Sequence, residues 1–337
     1  MIFFKQNFYF STRNENNKQL FRFLLFLLLF WKQEGTCHEL LIIYHITIKV
    51  PTVNRGFFFR ENMQKPVAIQ GVLGSFHHIV AQHFFNPEVP VSECMTFNEL
   101  VKNLVKGKTD VAVMAIENSI AGSIIPNYAL IDEYDLQIIG EYYIPVHHNL
   151  MMLAGQKLQA VAEVWSHPMA LLQCRVFFDK HPYIKLVEDK DTAEVARRIA
   201  RDNLKGIAAI ASKQAAELYG LEIVAPEIQT INNNSTRFVI VSRQGENPVG
   251  NGFNKASIKF IVNHHPGSLA ALLNVMNDCR LNLTKIQSLP IINEPWKYAF
   301  FADFTFEDKA HYEKAVALVN IMAAEFKILG EYQTFEK

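Results

Sequence analysis

The sequence predicts an α/β protein of two lobes, followed by a smaller unit with its own β and α pattern. Three observations carry this. Short apolar strands alternate twice with amphipathic helices, long extended segments join the two series, and a Gly/Pro/Asn-rich stretch at 244–254 precedes a fresh start of the pattern. The 337 residues suffice for two or three domains with a sizeable core.

Val67–Gln70 is a short apolar strand, and Gly71-Val72-Leu73-Gly74-Ser75 turns into a helix that opens at Ser75. Such a turn aims backbone N–H groups where an anion can sit. Val111–Ile116 is a continuous apolar strand of the buried, parallel kind. It runs into Glu117-Asn118-Ser119 and Gly122, at a strand end where α/β sheets place ligands. Leu136–Leu153 is extended and interrupted by Pro145 and His147-His148.

The second lobe begins with strand Val161–Trp165 and continues through Ser166-His167-Pro168 into a helix over Met169–Phe178. Tyr183–Val187 is a strand, and Asp191-Thr192-Ala193-Glu194 opens a helix in capping style. Gly206–Ala211 is a buried strand, and Ser212–Tyr219 a helix stopped by Gly220. Thr236–Val241 is the last strand before the linker. Beyond it, strand 255–263, helix 267–279, strands 283–289 and 298–306, helix 309–325 and strand 326–332 give the ferredoxin-like order βαββαβ. The expected domains are therefore 63–244 in two lobes, a linker at 245–254, and 255–337.

Residues 1–62 stand apart. They hold 11 of the 26 phenylalanines and eight Lys/Arg against four Asp/Glu. The whole chain has 33 of each charge, so 63–337 keeps 25 basic and 29 acidic groups, a net of −4. Its apolar run Leu20–Trp31 is shorter than the about 20 residues a spanning helix needs. No small-x-small cleavage site follows it. Met63-Gln64-Lys65-Pro66 leads straight into the first strand, so 1–62 is expected to be a non-native or disordered leader translated ahead of the functional start, with a targeting or anchoring segment as the alternative. The balanced charge argues against nucleic acid and anionic membrane as partners. Four cysteines without CxxC spacing point to reduced thiols in the cytoplasm. The pairs His77-His78, His147-His148 and His264-His265 are not metal sites, because neighbours on a strand face opposite ways.

Four motifs in order make the chain from 66 to about 333 resemble a monofunctional prephenate dehydratase with a C-terminal ACT regulatory domain. They are Gly71–Phe76, Ile116-Glu117-Asn118-Ser119 with Gly122, Ser166-His167-Pro168 with Gln173-Cys174, and Asn234-Ser235-Thr236-Arg237-Phe238. The resemblance implies a periplasmic-binding-protein-like catalytic domain and conversion of prephenate to phenylpyruvate, carbon dioxide and water, without cofactor or metal. It assigns Thr236 as the hydroxyl that donates to the leaving oxygen, with Glu117 and Asn118 binding substrate or orienting Thr236. Ser75, Ser119, Gly122, Ser166, His167, Arg237 and Phe238 are the expected substrate-binding set. Arg237 would hold a carboxylate or brace the loop, and Phe238 would pack beneath the site. Met169 replaces a glutamine common in the family, and a thioether cannot donate a hydrogen bond.

The resemblance further implies phenylalanine as feedback inhibitor. Its expected site is Pro266, Gly267, Ser268, Leu269, Asn282 and Gln287, where paired ACT units form at least a homodimer, or a homotetramer. Gln287-Ser288-Leu289-Pro290 departs from the usual Glu-Ser-Arg-Pro by losing one acid and one base. Two alternatives stand beside this reading: an arogenate dehydratase, and a non-catalytic binding protein for an amino acid or keto acid.

Overall fold

The computed structural model describes residues 65–245, 252–291, 294 and 296–334. The leader and most of the linker lie outside the described residues. The first lobe comprises β1 (Val67–Gln70), α1 (Phe76–Phe84), β2 (Val91–Cys94), α2 (Phe97–Val105), β3 (Val111–Asn118), β4 (Gly122–Ser123), α3 (Ile125–Glu133) and β5 (Leu136–Pro145). The second comprises β6 (Asn149–Leu153), β7 (Glu163–Ser166), α4 (Pro168–Gln173), α5 (Arg175–Asp179), β8 (Lys185–Glu188), α6 (Thr192–Arg201), β9 (Ile207–Ala211), α7 (Lys213–Tyr219) and β10 (Leu221–Ala225). The chain then returns to the first lobe as β11 (Ser235–Arg243).

The first sheet runs β2-β1-β3-β11-β5, with β4 on β3, and the second runs β10-β6-β9-β7-β8. β3 is parallel to β1 but antiparallel to β11, so the sheet is mixed rather than wholly parallel. Its apolar run is buried because both faces are covered. Val113 and Ala115 pack with Val80 and Phe84 of α1, whereas Met114 and Ile116 pack with Leu100 of α2 and Ile131 of α3. Two crossings join the lobes, 146–148 between β5 and β6 and 226–234 between β10 and β11.

Local signals place the helices. Ser75 caps α1 by accepting from the His78 N–H at 3.2 Å, and Asp191 caps α6 by accepting from the Glu194 N–H at 2.8 Å. Gly220 ends α7 in the left-handed region at φ 66°. The helix expected over Met169–Phe178 is instead two short pieces, α4 and α5, which meet at Cys174.

The C-terminal unit comprises β12 (Lys255–Ile261), α8 (Ser268–Asp278), β13 (Asn282–Pro290), β14 (Tyr298–Thr305), α9 (Lys309–Met322) and β15 (Glu325–Tyr332). Its antiparallel sheet has the order β13-β14-β12-β15, which is the ferredoxin-like arrangement. Leu272, Met276, Tyr312 and Val319 cover one face. On the other, Leu289, Phe301, Leu329 and Tyr332 share a core with Ile116, Tyr128 and Ile131 of the first lobe. A Cβ on Gly330 would lie 2.1 Å from the Ile138 carbonyl oxygen, so glycine permits β15 to approach β5 this closely. Among the described residues no helix is long and apolar enough to cross a membrane.

Candidate active site

A break in strand alternation builds the centre of the site. Arg237 pairs with Glu117 but Phe238 pairs with Ala115, so Ile116 is an extra residue on β3. Such a bulge re-aims the side chains beyond it. Asn118 consequently stands beside Thr236, its register partner. Asn118 Oδ1 accepts from the backbone N–H groups of Ile120 at 3.0 Å and Ala121 at 2.9 Å. Its Nδ2 therefore points the other way and donates to Asn234 Oδ1 at 2.7 Å and Thr236 Oγ1 at 2.9 Å. Thr236 uses its oxygen as an acceptor, and its hydroxyl hydrogen has no acceptor among the described residues.

The site continues through both crossings. Asn234 Nδ2 donates to Gln173 Oε1 at 3.0 Å, and His148 Nε2 lies 2.8 Å from the same oxygen. The sequence alone assigns no role to Gln173, Asn234 or His148. Gln173 and Asn234 stand within the quoted motifs, whereas His148 looked like half of a histidine pair.

The loop 71–75 bridges the lobes. Ser212 Oγ donates to the Gly74 carbonyl at 2.6 Å, and the Tyr219 hydroxyl to the Leu73 carbonyl at 2.6 Å. Gly74 has φ 83°, and a Cβ there would meet Ala215 Cα at 2.9 Å. Gly71, at φ 90°, leaves room for Asp191, whose Oδ2 would be 2.6 Å from an added Cβ. Burial pushes the Asp191 carboxyl up to about 6, against the pull of the Glu194 and Ala193 N–H groups.

A family model for prephenate dehydratase matches residues 67–246. The chain belongs to the prephenate dehydratase family. Family members are lyases, and the match spans both lobes. The chain is 35% identical over 277 residues to arogenate dehydratase/prephenate dehydratase 2, chloroplastic, of Arabidopsis thaliana, covering 79% of this chain and 72% of that protein. It is 33% identical to the bifunctional chorismate mutase/prephenate dehydratase of Aquifex aeolicus, covering 79% and 73%. Among solved structures, the prephenate dehydratase of Arthrobacter aurescens in complex with L-Phe superposes with a TM-score of 0.72 at 25% identity, covering 80% of this chain and 90% of that one. A structure described as GqqA, a quorum quenching acylase, superposes with the same TM-score of 0.72 at 27% identity, covering 80% and 98%.

Within this prephenate dehydratase fold, the expected site residues separate into two groups. Thr236, Asn118 and Ser119 come together. Ser119 Oγ accepts from the Ser235 N–H at 2.9 Å, pinning the start of β11. Gly122, at φ 80°, pairs with Asn118 across the β3–β4 turn. Ser75 is buried at the start of α1. His167 caps α4 by accepting from the Met169 N–H at 3.2 Å. Phe238 is buried in the core that β11 shares with α1, its ring 4.9 Å from that of His77. Burial lowers the His77 ring to about 3, so it stays neutral there.

Three expectations need correction. Arg237 does not face the Thr236 side of β11. Its guanidinium is buried against Glu141 (2.7 Å), Asp303 and the Tyr332 hydroxyl (2.9 Å). Lys255 joins Glu141 at 2.9 Å, so two cations and two carboxylates compensate one another. Burial alone would raise the Asp303 carboxyl, but Arg237 and Lys255 outweigh it and hold it below the usual range. Glu117 likewise faces the C-terminal unit, where Lys285 Nζ lies 2.5 Å from its Oε1. The bulge at Ile116 decides which face each takes: without it, alternation from Ala115 would put Glu117 on the α1 face and Asn118 on the other. Ser166 is fully buried and donates to the Ile210 carbonyl at 2.8 Å, tying β7 to β9 instead of lining a cleft.

The expected effector residues occupy two places in the C-terminal unit. Pro266 and Gly267 precede α8, Gly267 in the left-handed region at φ 84°, and Ser268 and Leu269 form its first turn. Asn282 and Gln287 lie on β13, at one end of the sheet. Leu289, where the family usually has Arg, is buried in the core shared with the first lobe.

Proposed function

We propose that the protein converts prephenate to phenylpyruvate, with Thr236 as hydrogen donor to the departing C4 hydroxyl. The ring carboxylate leaves as carbon dioxide and its bonding electrons enter the ring. The C4–O bond breaks, and the oxygen leaves as water once a proton reaches it. Aromatisation drives the reaction, so the protein's task is placement and charge stabilisation at the leaving oxygen. The observation that carries this reading is Thr236 Oγ1 accepting from Asn118, which leaves the hydroxyl hydrogen for the substrate. Ser75 and the loop 71–75 are proposed to receive a substrate carboxylate.

An acyl-transfer reading is less well supported at this site. A threonine nucleophile needs a base to take its proton, and Thr236 instead meets an amide N–H. Arogenate, with an ammonium where prephenate has a keto group, is the second reading, favoured by the name of the Arabidopsis relative. Purified protein supplied separately with each compound distinguishes them. Phenylpyruvate from prephenate is expected to form faster than phenylalanine from arogenate. Folded protein that turns over neither would leave a binding protein as the better account.

The C-terminal unit is proposed to act as an ACT domain, binding phenylalanine around Gly267–Leu269 and β13 and lowering turnover. Support comes from the Arthrobacter aurescens structure, described with L-Phe. β13 has one unpaired edge among the described residues, suited to pairing with a second copy in a homodimer or homotetramer. Calorimetry with no heat at millimolar phenylalanine would remove the effector proposal. Cytoplasmic residence belongs to the same reading, supported by the buried free thiols Cys94, Cys174 and Cys279.

A further inference from the structure

The polarity of the polar chain at the crossings is fixed by backbone atoms. The N–H groups of Ile120 and Ala121 require the oxygen of Asn118. Asn118 must then offer its NH2 to Asn234 and Thr236. Asn234 Oδ1 is thereby an acceptor, so its NH2 faces Gln173 Oε1. That oxygen is also 2.8 Å from His148 Nε2, which must carry a hydrogen. The opposite tautomer would set two lone pairs against each other at that distance. It would also bury an unpartnered N–H at Nδ1.

Two further observations support this tautomer. His148 is only 4% exposed, and its Nδ1 is buried with no hydrogen-bond partner. Burial lowers the basicity of the ring, outweighing the Gln173 contact, so the ring is held neutral with a bare Nδ1. Its position is set on both sides: the His148 N–H donates to Gln229 Oε1 at 2.9 Å, and the Phe76 ring meets the imidazole edge-on at 6.1 Å.

We propose that His148 is a positioning residue for the dehydration: with its proton on Nε2 it fixes the Gln173 carboxamide and, through Asn234, holds the far end of the chain whose near end, Asn118, the backbone anchors beside Thr236. The proposal rests on the assignment of Thr236 as donor. The chain joins the two crossings, because His148 belongs to one and Asn234 to the other. Gln173 Oε1 accepts twice, so its NH2 group is left with no hydrogen bond among the described residues. The same lock therefore presents two donors, the Gln173 amide and the Thr236 hydroxyl.

The test separates hydrogen bonding from packing. His148→Phe keeps a ring but loses the donor; kcat is expected to fall about tenfold, roughly the worth of one hydrogen bond, with a smaller change in KM. His148→Gln fits the ring site less well but restores an N–H donor, and is expected to recover most of that loss. The reverse order, Phe active and Gln inactive, identifies a packing role and overturns the proposal. Nitrogen NMR of ring-labelled protein is expected to show hydrogen on Nε2 alone at neutral pH; hydrogen on Nδ1 overturns it as well. This readout and the Gln variant decide the matter if the Phe variant does not fold. Thr236→Ala serves as the reference. Full turnover in that variant refutes the Thr236 reading itself, and with it the proposal, whereas an inactive Thr236→Ala beside a fully active His148→Phe overturns the His148 role alone.

Discussion

Thr236 and Arg237 are consecutive residues of one strand that serve opposite faces of it: the threonine meets Asn118 on one side, and the arginine is buried against Glu141 and Tyr332 on the other. Substitutions at the two positions should therefore fail differently. Thr236→Ala is expected to lower kcat about 10²–10³-fold, the usual effect of removing a donor from a developing oxyanion. Its unfolding free energy should change by about 1 kcal/mol or less. Arg237→Leu leaves Glu141 and Asp303 with Lys255 alone, and should cost about 3–5 kcal/mol in denaturant unfolding. An Arg237→Leu protein of undiminished stability that had lost turnover would contradict the opposite-face assignment.

Asp191 gives a pH-dependent signature. Its folded value of about 6 exceeds the unfolded value of about 3.9. Between those values the native state holds the extra proton, so this group's contribution to stability declines as pH rises from about 4 to 6 and stays low above that. Asp191→Asn retains a good helix cap and removes the ionisation. The variant should be more stable than the parent above pH 6, by at most about 3 kcal/mol, and the difference should vanish towards pH 4. Urea unfolding of both proteins across that range measures it. A difference that does not vary with pH would show that the carboxyl is not held protonated by burial.

Gly330 tests how tightly the C-terminal unit sits on the first lobe. An alanine Cβ would be 2.1 Å from the Ile138 carbonyl oxygen and 2.7 Å from its Cβ, so β15 and β5 must separate locally. Gly330→Ala is expected to cost about 2–3 kcal/mol, as overpacked sites do. A negligible loss in denaturant unfolding would mean the two sheets part without resistance.

The sequence revealed those parts of the fold whose causes are local. Ser75 and Asp191 announced helix starts by capping chemistry, and Gly220 announced a stop through its freedom at positive φ. The βαββαβ order followed from strand and helix periodicity alone. The bulge at Ile116 left no such mark, because it exists only in the register between β3 and β11. Alternation counted along β3 therefore gives no warning that Glu117 turns to Lys285 while Asn118 turns to Thr236. Arg237 and Ser166 misled for the same reason. Their partners, Asp303 and Ile210, lie 66 and 44 residues away, beyond the reach of any local pattern. Motif resemblance singled out Asn118, Ser119 and Thr236, which the fold brings together, but said nothing about which side of its strand each residue faces.

The charged cluster of Arg237, Glu141, Asp303 and Lys255 also bears on how the C-terminal unit is attached. Each unit supplies one cation and one carboxylate, and the contacts of Arg237 with Asp303 and of Lys255 with Glu141 cross from one unit to the other. The C-terminal unit is therefore held against the first lobe by matched charges as well as by the shared apolar core. Replacing Asp303 alone would leave Arg237 and Lys255 sharing a single buried carboxylate, Glu141, across the junction of the two units.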